Sequence, residues 1–315
     1  MPVEPRYLQQ IGDVVSIEGW EPDEDFPFGP QGAKPKRFVI CPTPAPHPYL
    51  LAGHRYVFKE PSGSKAQQIW SEVLAYEFAR DLGVPVPPAF LAYDPVENSP
   101  GVLVEFFYGY QWDAPVRFVH AIERFQGLDI PVDLRRGSLH DNVRLTRKHQ
   151  VVNWRDWWSR TIAFDALIGN TDRHSENWGF LVDQSTPGEA KYALAPAFDN
   201  GTSLGFLIRD QDLAKFANPE RLADFIARGR HHFGWLAGND ESAQHVALCK
   251  RYVEVYGASG GAMRNVIHLP DSRIEHVVDW ATRFDFPVAF SQERGEFVIA
   301  QVKTRRDAIA AAIGA

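Results

Sequence analysis

Apolar and polar positions follow one rhythm before residue 110 and another after it. In the first stretch, short runs rich in β-branched and aromatic residues recur: VVSIEG (14–19), RFVIC (37–41), RYVFK (55–59), AFLAYD (89–94) and GVLVEFF (101–107). Such runs predict strands. Between the third and fourth, Trp70, Leu74, Phe78 and Leu82 repeat every four residues with Val73 alongside, which predicts a helix. Gly83 stands where a left-handed cap belongs, and Pro85, Pro87 and Pro88 forbid continuation.

Later the period lengthens. VNWRDWWSRTIAFDALIG (152–169) sets Trp154, Trp157, Trp158, Ile162 and Ile168 at helical spacing and stops at Gly169. The three tryptophans repeat on helix faces, so they read as core rather than as platforms for bases. WGFLV (178–182) and KYALA (191–195), joined by the turn-like DQSTPGE, predict a hairpin. Residues 219–229, 242–256, 271–284 and 291–313 carry further helical patterns. Strands first and helices later predict an α+β chain in two lobes, 1–107 and 108–315, hinged near 106–112.

Composition then removes whole classes. With 44% apolar and 23% charged residues in 315, the chain is not mainly disordered. A net charge of −7 argues against coating nucleic acid by charge alone. No run approaches the roughly 20 apolar residues of a membrane span, and the opening MPVEPRYLQQIGDV lacks the apolar stretch of a secretory signal. Cys41 and Cys249 are too far apart in sequence for a CxxC site and suit a reducing compartment. The expectation is a cytoplasmic protein, with secretion as an effector left open.

The chemistry concentrates in GNTDRHSENWGFL (169–181) and LAPAFDNGTSLG (194–205), at the ends of predicted elements, where rigid scaffolds present functional groups. Phosphoryl transfer needs a carboxylate near the attacking hydroxyl and hard oxygen ligands for Mg²⁺. In D-x-x-x-x-N, Asp172 can face the acceptor while Asn177 offers an amide oxygen to the metal. Asp199, at the far end of the hairpin, can return beside Asn177 as the second ligand. Singly, each of these residues could merely cap a turn; the joint pattern points to chemistry. His174 could ligate a metal, move a proton or brace the loop on backbone carbonyls, and Arg173 could pair with a carboxylate or be solvated; neither receives a chemical role.

These two segments resemble the catalytic core of HipA-like serine/threonine kinases, the short CtkA-type members in particular, and more distantly that of phosphatidylinositol kinases. Upstream, YVFKEP (56–61) matches the family's strand bearing the ATP lysine, which implies that role for Lys59. SEVLAYEFARDLGVPVP (71–87) matches its helix exit and implies Glu72 as the lysine's partner, with Glu77 the competing candidate. GVLVEFF (101–107) matches the hinge, where backbone groups of Glu105, Phe106 and Phe107 would hold adenine. GPQGAKPKR (29–37) resembles the phosphate loop, with Gly29, Gly32, Ala33 and Lys36 around the phosphates; it reads equally as a Pro/Gly-rich turn.

The resemblance implies a bilobal protein-kinase-like fold: a β-rich first lobe with one key helix, and a helical second lobe containing the catalytic hairpin. It implies an ATP- and Mg²⁺-dependent kinase acting on a protein substrate. The longer toxins of the family carry a regulatory serine in the phosphate loop. No Ser or Thr occurs here between Trp20 and Pro42, so that regulation does not carry over. Nor does an antitoxin-like regulator, since the chain is shorter than the full toxins. Two other readings stand beside the protein kinase: a lipid or small-molecule kinase, and a nucleotide-binding pseudokinase or interaction module. Lipid is disfavoured by the absence of a polybasic or basic amphipathic segment. DNA binding has only clusters such as Arg135-Arg136 and Arg144 to Lys148, which are usually solvated faces or, at most, a dock for an acidic substrate.

Overall fold

The early β-rich runs assemble into a single six-stranded sheet. A computed structural model describes residues 9–23, 36–113, 115–125, 137–186, 188–236, 241–257 and 260–315. The sheet comprises β1 (Val15–Ser16), β2 (Glu21–Pro22), β3 (Lys36–Ile40), β4 (Arg55–Lys59), β5 (Ala89–Asp94) and β6 (Ser99–Glu105), in the order β1-β5-β6-β4-β3-β2. Only the β1–β5 pair is parallel. Helix α1 (Gln68–Leu82) lies where the four-residue repeat predicts it and packs on β5 and β6. It ends at Gly83, whose φ of +62° is the left-handed conformation that an L side chain adopts only with strain.

The second half departs from a helical region with one hairpin. Strand β7 (Val116–His120) pairs antiparallel with β8 (Gly179–Thr186), which pairs with β9 (Glu189–Leu194), so the hairpin becomes a three-stranded sheet. VRFVH is five residues long and only Val119 in it is buried, which leaves little apolar signal. Helices α2 (Ala121–Phe125), α3 (Leu139–Lys148), α4 (Trp154–Ile168), α5 (Asp210–Leu213), α6 (Pro219–Ala227), α7 (His245–Tyr256), α8 (Gly260–Ile267), α9 (Asp271–Thr282) and α10 (Gln292–Ile313) follow. Of these, α2, α3, α5 and α8 add to the expected set.

The core of this half forms around α4. Trp158, Ile162, Phe164, Leu167 and Ile168 on it are fully buried, each stabilising by roughly 1.5–3 kcal/mol relative to exposure. The Trp158 ring meets Trp178 edge-on at 4.9 Å, and Trp157 Nε1 donates to Ala195 O at 3.0 Å. The tryptophans therefore weld α4 to the β8–β9 hairpin. Helix α10 packs on α4, α7 and α9 and closes the helical side. Among the described residues no helix is long and apolar enough to cross a membrane.

Candidate active site

Strand β4 ends at Lys59, and α1 turns Glu72 towards it. Lys59 Nζ donates to Glu72 Oε1 at 2.5 Å and to Asp199 Oδ1 at 3.0 Å. The other Glu72 oxygen accepts from the Asn200 N–H at 3.0 Å. Burial works against the Lys59 ammonium, yet the Asp199 and Glu72 carboxylates outweigh it and hold its pKa above the usual lysine value. Glu77 sits about 140° round the helix from Glu72, five residues on at 3.6 per turn. It pairs instead with Arg80 at 3.0 Å and with Arg273 of α9 at 3.5 Å.

Lys36 stands directly opposite Lys59 in the β3–β4 register, and its Nζ lies 3.9 Å from Asp199 Oδ2. Like charges facing each other across strands are unfavourable. Two ammonium groups, Lys36 and Lys59, thus meet two carboxylates, Glu72 and Asp199, at this point. Gly29, Gly32 and Ala33 lie outside the described residues.

The loop holding Asp172 begins where Gly169, at φ +68°, caps α4 by donating its N–H to Asp165 O. The Asp172 N–H donates to Asn170 Oδ1 at 3.2 Å. Asn177 Nδ2 donates to Asp172 O at 2.7 Å, so the oxygen of that amide is what remains to meet a cation. Asn177 is buried, whereas the Asp172 side chain is 37% exposed.

Arg173 organises the whole constellation. It is fully buried. Its Nε and Nη2 grip the Asp165 carboxylate at 3.1 and 2.8 Å. Nη2 also donates to Asn200 Oδ1 at 2.7 Å, and Nη1 donates to Asn177 O at 3.1 Å and to Phe198 O. One planar guanidinium thus fastens the Asp172–Asn177 loop to the Phe198-Asp199-Asn200 segment. Reading the sequence offered Arg173 a carboxylate partner or solvent, without naming the partner, and gave it no chemical role. The available signal was Asp165, an acid inside the apolar IAFDALIG of a buried helix, because a buried carboxylate demands a partner.

His174 is buried beside Asp172. Its Nδ1 accepts from the Glu176 N–H at 3.2 Å, and its Nε2 lies 3.7 Å from Asp172 Oδ1. His232, which no motif pointed to, approaches the same oxygen to 3.6 Å through Nδ1. Two imidazoles therefore flank the Asp172 carboxylate.

At the hinge, Glu105 is buried and accepts from the Tyr56 and Tyr110 hydroxyls at 3.2 and 2.8 Å. Its N–H donates to Pro88 O and that of Phe106 to Arg55 O, at 2.8 and 3.0 Å. Phe106 O is bonded by His54 Nε2 at 2.7 Å. These groups are already partnered. The Phe107 ring stacks on Phe198 at 5.2 Å and meets Phe118 of β7 edge-on at 5.1 Å. An aromatic floor thus joins the hinge to the residue preceding Asp199. Arg144, offered by the sequence as part of a basic cluster, pairs with Asp141 one helical turn away on α3.

The family model described as the HipA-like C-terminal domain matches residues 28–252. The serine/threonine-protein kinase CtkA of Helicobacter pylori (strain J99) is 44% identical over 48 residues, a segment spanning 15% of this chain and 14% of CtkA. The crystal structure of the H. pylori proinflammatory kinase CtkA superposes with a TM-score of 0.70 at 18% identity, covering 96% of this chain and 98% of that one. HipA from the Shewanella oneidensis MR-1 toxin–antitoxin complex of HipA, HipB and operator DNA superposes with a TM-score of 0.52 at 14% identity, over 94% and 70% of the two chains. At these identities the likeness is one of fold, and the fold is kinase-like.

Proposed function

Because this chain belongs to the family of HipA-like C-terminal domains, we propose that it is an ATP- and Mg²⁺-dependent protein kinase acting on serine or threonine. One observation carries the reading: Lys59 is held between Glu72 and Asp199, while Arg173 ties Asp199's segment to the loop of Asp172 and Asn177. Phosphoryl transfer is mostly positioning and charge stabilisation, and this arrangement supplies both.

Lys59, fixed by Glu72, would bind α- and β-phosphate oxygens, with Lys36 beside it. Two ammonium groups brought to one point suit the oxygens of an anion as large as a triphosphate. Asp199 and the Asn177 amide oxygen are hard oxygen donors and would hold Mg²⁺, which when bound offsets negative charge on the phosphates. Among the described residues no cluster of three or more His, Cys, Asp or Glu forms a metal site unaided. A site completed by phosphate oxygens and water is the usual arrangement for Mg²⁺. Asp172, the exposed carboxylate of the loop, would accept the proton of the attacking hydroxyl. Phe107, rather than the internally bonded Glu105 and Phe106, would meet the base.

The test is transfer of label from γ-labelled ATP to protein in the presence of Mg²⁺. Asp172→Ala should lower the rate about 10²–10⁴-fold, the usual contribution of a general base. Equal labelling by the variant would remove Asp172 from that role. Tight Mg·ATP binding without any labelling of protein would point to a small-molecule acceptor or a pseudokinase.

A further inference from the structure

Beside Asp172 lies a cleft of about 670 Å³. Thr171 and His232 line it, and they border or approach Asp172 itself. Phe206 and Phe225 give it an apolar wall. Thr202, Ser242 and His231 add neutral polar groups, and its charged lining is cationic: Arg228, Arg230 and Arg305, with no carboxylate among the described lining residues.

Arg305 is the telling member. Three arginines in the described chain are buried: Arg173, Arg294 and Arg305. Arg173 grips Asp165, and Arg294 grips Asp210. Arg305, 3% exposed, has no carboxylate partner among the described residues. Its contacts are Ala166 O at 3.4 Å, the His245 ring at 3.3 Å and the face of Phe225. Among the described residues its Nε has no hydrogen-bond partner, and neither ring nitrogen of the adjacent buried His231 has one. Burial draws the Arg305 pKa down to about 10, so the guanidinium stays charged at neutral pH. A buried charge without a counter-charge is costly, and an incoming anion relieves that cost.

Two glycines keep the guanidinium approachable. A Cβ at Gly169 would come within 2.8 Å of Arg305 Nη2, and one at Gly229 within 3.1 Å of Nη1. At the rim, among the described residues, the Arg228 side chain bonds only the Asp224 carbonyl of its own helix end, while Arg230 donates to Ser242 O at 2.6 Å and lies 3.8 Å from Glu241. The floor is thus a buried cation lacking an anion, the rim is cationic, and the wall is apolar.

We propose that this cleft seats an anionic side chain, a carboxylate or phosphomonoester, of the peptide that presents its hydroxyl to Asp172. The proposal rests on the kinase reading and deepens it: the acceptor segment is acidic. The anionic side chain enters beside Phe206 and Phe225, pairs with Arg228 at the rim and reaches Arg305 at the floor.

Fluorescence anisotropy without ATP tests this on the full chain. The probes are labelled peptide pools centred on serine, with glutamate, phosphoserine or glutamine fixed at successive flanking positions. At one or more positions the glutamate or phosphoserine pools should bind at least about tenfold more tightly than glutamine pools, as charge-assisted pairing requires. Arg305→Gln should erase the difference. So should the surface double variant Arg228→Glu/Arg230→Glu, which keeps the test open if the buried variant fails to fold. Equal binding of all pools, or an acidic preference surviving in the double variant, overturns the proposal. Inorganic phosphate binding that Arg305→Gln abolishes, without any peptide preference, also overturns it and makes the cleft a small-anion site. Label transfer from ATP to the same pools separates the two readings. Acidic preference without transfer would sink the kinase, and transfer without acidic preference would sink the cleft.

Discussion

At the scale of single residues, Asp199 combines two demands that usually fall on different residues. Its carboxylate meets Lys59 and Lys36 while its backbone sits at φ +59°. An L residue held there costs roughly 1–2 kcal/mol, a strain tolerated where the side chain is needed. The two demands can be separated by substitution. Asp199→Gly and Asp199→Ala both remove the carboxylate, so neither should transfer phosphate. Urea unfolding should nevertheless find the glycine variant about 1 kcal/mol more stable than the alanine variant. Equal stability would mean that the fold does not impose the left-handed conformation. The carboxylate's part was suggested only by FDN taken together with the D-x-x-x-x-N loop before the hairpin. The strained backbone was not, because nothing local in that tripeptide reveals the hydrogen bonds holding it: Asn200 N–H to Glu72 and Asn200 Nδ2 to Ala197 O.

At the scale of elements, α1 shows how one helix serves the site and the fold on different faces. Glu72 meets Lys59, and Glu77 meets Arg80 and Arg273. Both are buried acids in one predicted helix, so periodicity alone does not choose between them; the family resemblance pointed to Glu72, and the rotation of the helix against β4 is what brings it to Lys59. Burial pushes the Glu77 carboxyl up, and its two arginines do not fully restore it. Its ionised form is therefore not what the fold favours most, and a neutral isostere should cost little. Glu77→Gln is expected to retain phosphate transfer and to unfold within about 1 kcal/mol of wild type. Glu72→Gln should lower transfer about 10- to 150-fold, the equivalent of one charge-assisted hydrogen bond of about 1.5–3 kcal/mol. Reversed outcomes would exchange the two assignments. The local motifs GNTDRHSEN and FDN were readable because the chemistry of each is compressed into a few residues. Strand β7 was not, since VRFVH gains its meaning only by pairing with β8.

Across the whole molecule, the cationic cleft was the least legible feature, because its parts come from α4's end, the segment after Asp199, the end of α6 and α10. Arg305 stands 133 positions after Asp172 in sequence, within a helix that looks unremarkable by its pattern. The same convergence has a global consequence for stability. His231 and His245 lie under the cleft, each 1% exposed, their rings 4.5 Å apart and edge-on. Burial depresses both. His231 falls to about 4, where the pull of Asp165 is outweighed by burial together with Arg173 and Arg305; His245 is lowered further by His231 and Arg305. A histidine in the unfolded chain titrates near 6.5. Between about pH 6.5 and 4 the unfolded chain therefore binds protons that the folded one refuses, so stability is fully present above this window and is lost as pH falls through it. Each histidine contributes a slope of up to about 1.4 kcal/mol per pH unit. Urea midpoints should decline steadily from pH 7 to pH 4.5, in a range above that in which most carboxylates titrate. His231→Phe, which keeps a ring on the stacked Phe233 while removing the titrating group, should flatten that decline by about half. A decline of unchanged steepness in the variant would mean that the acid sensitivity arises elsewhere in the fold.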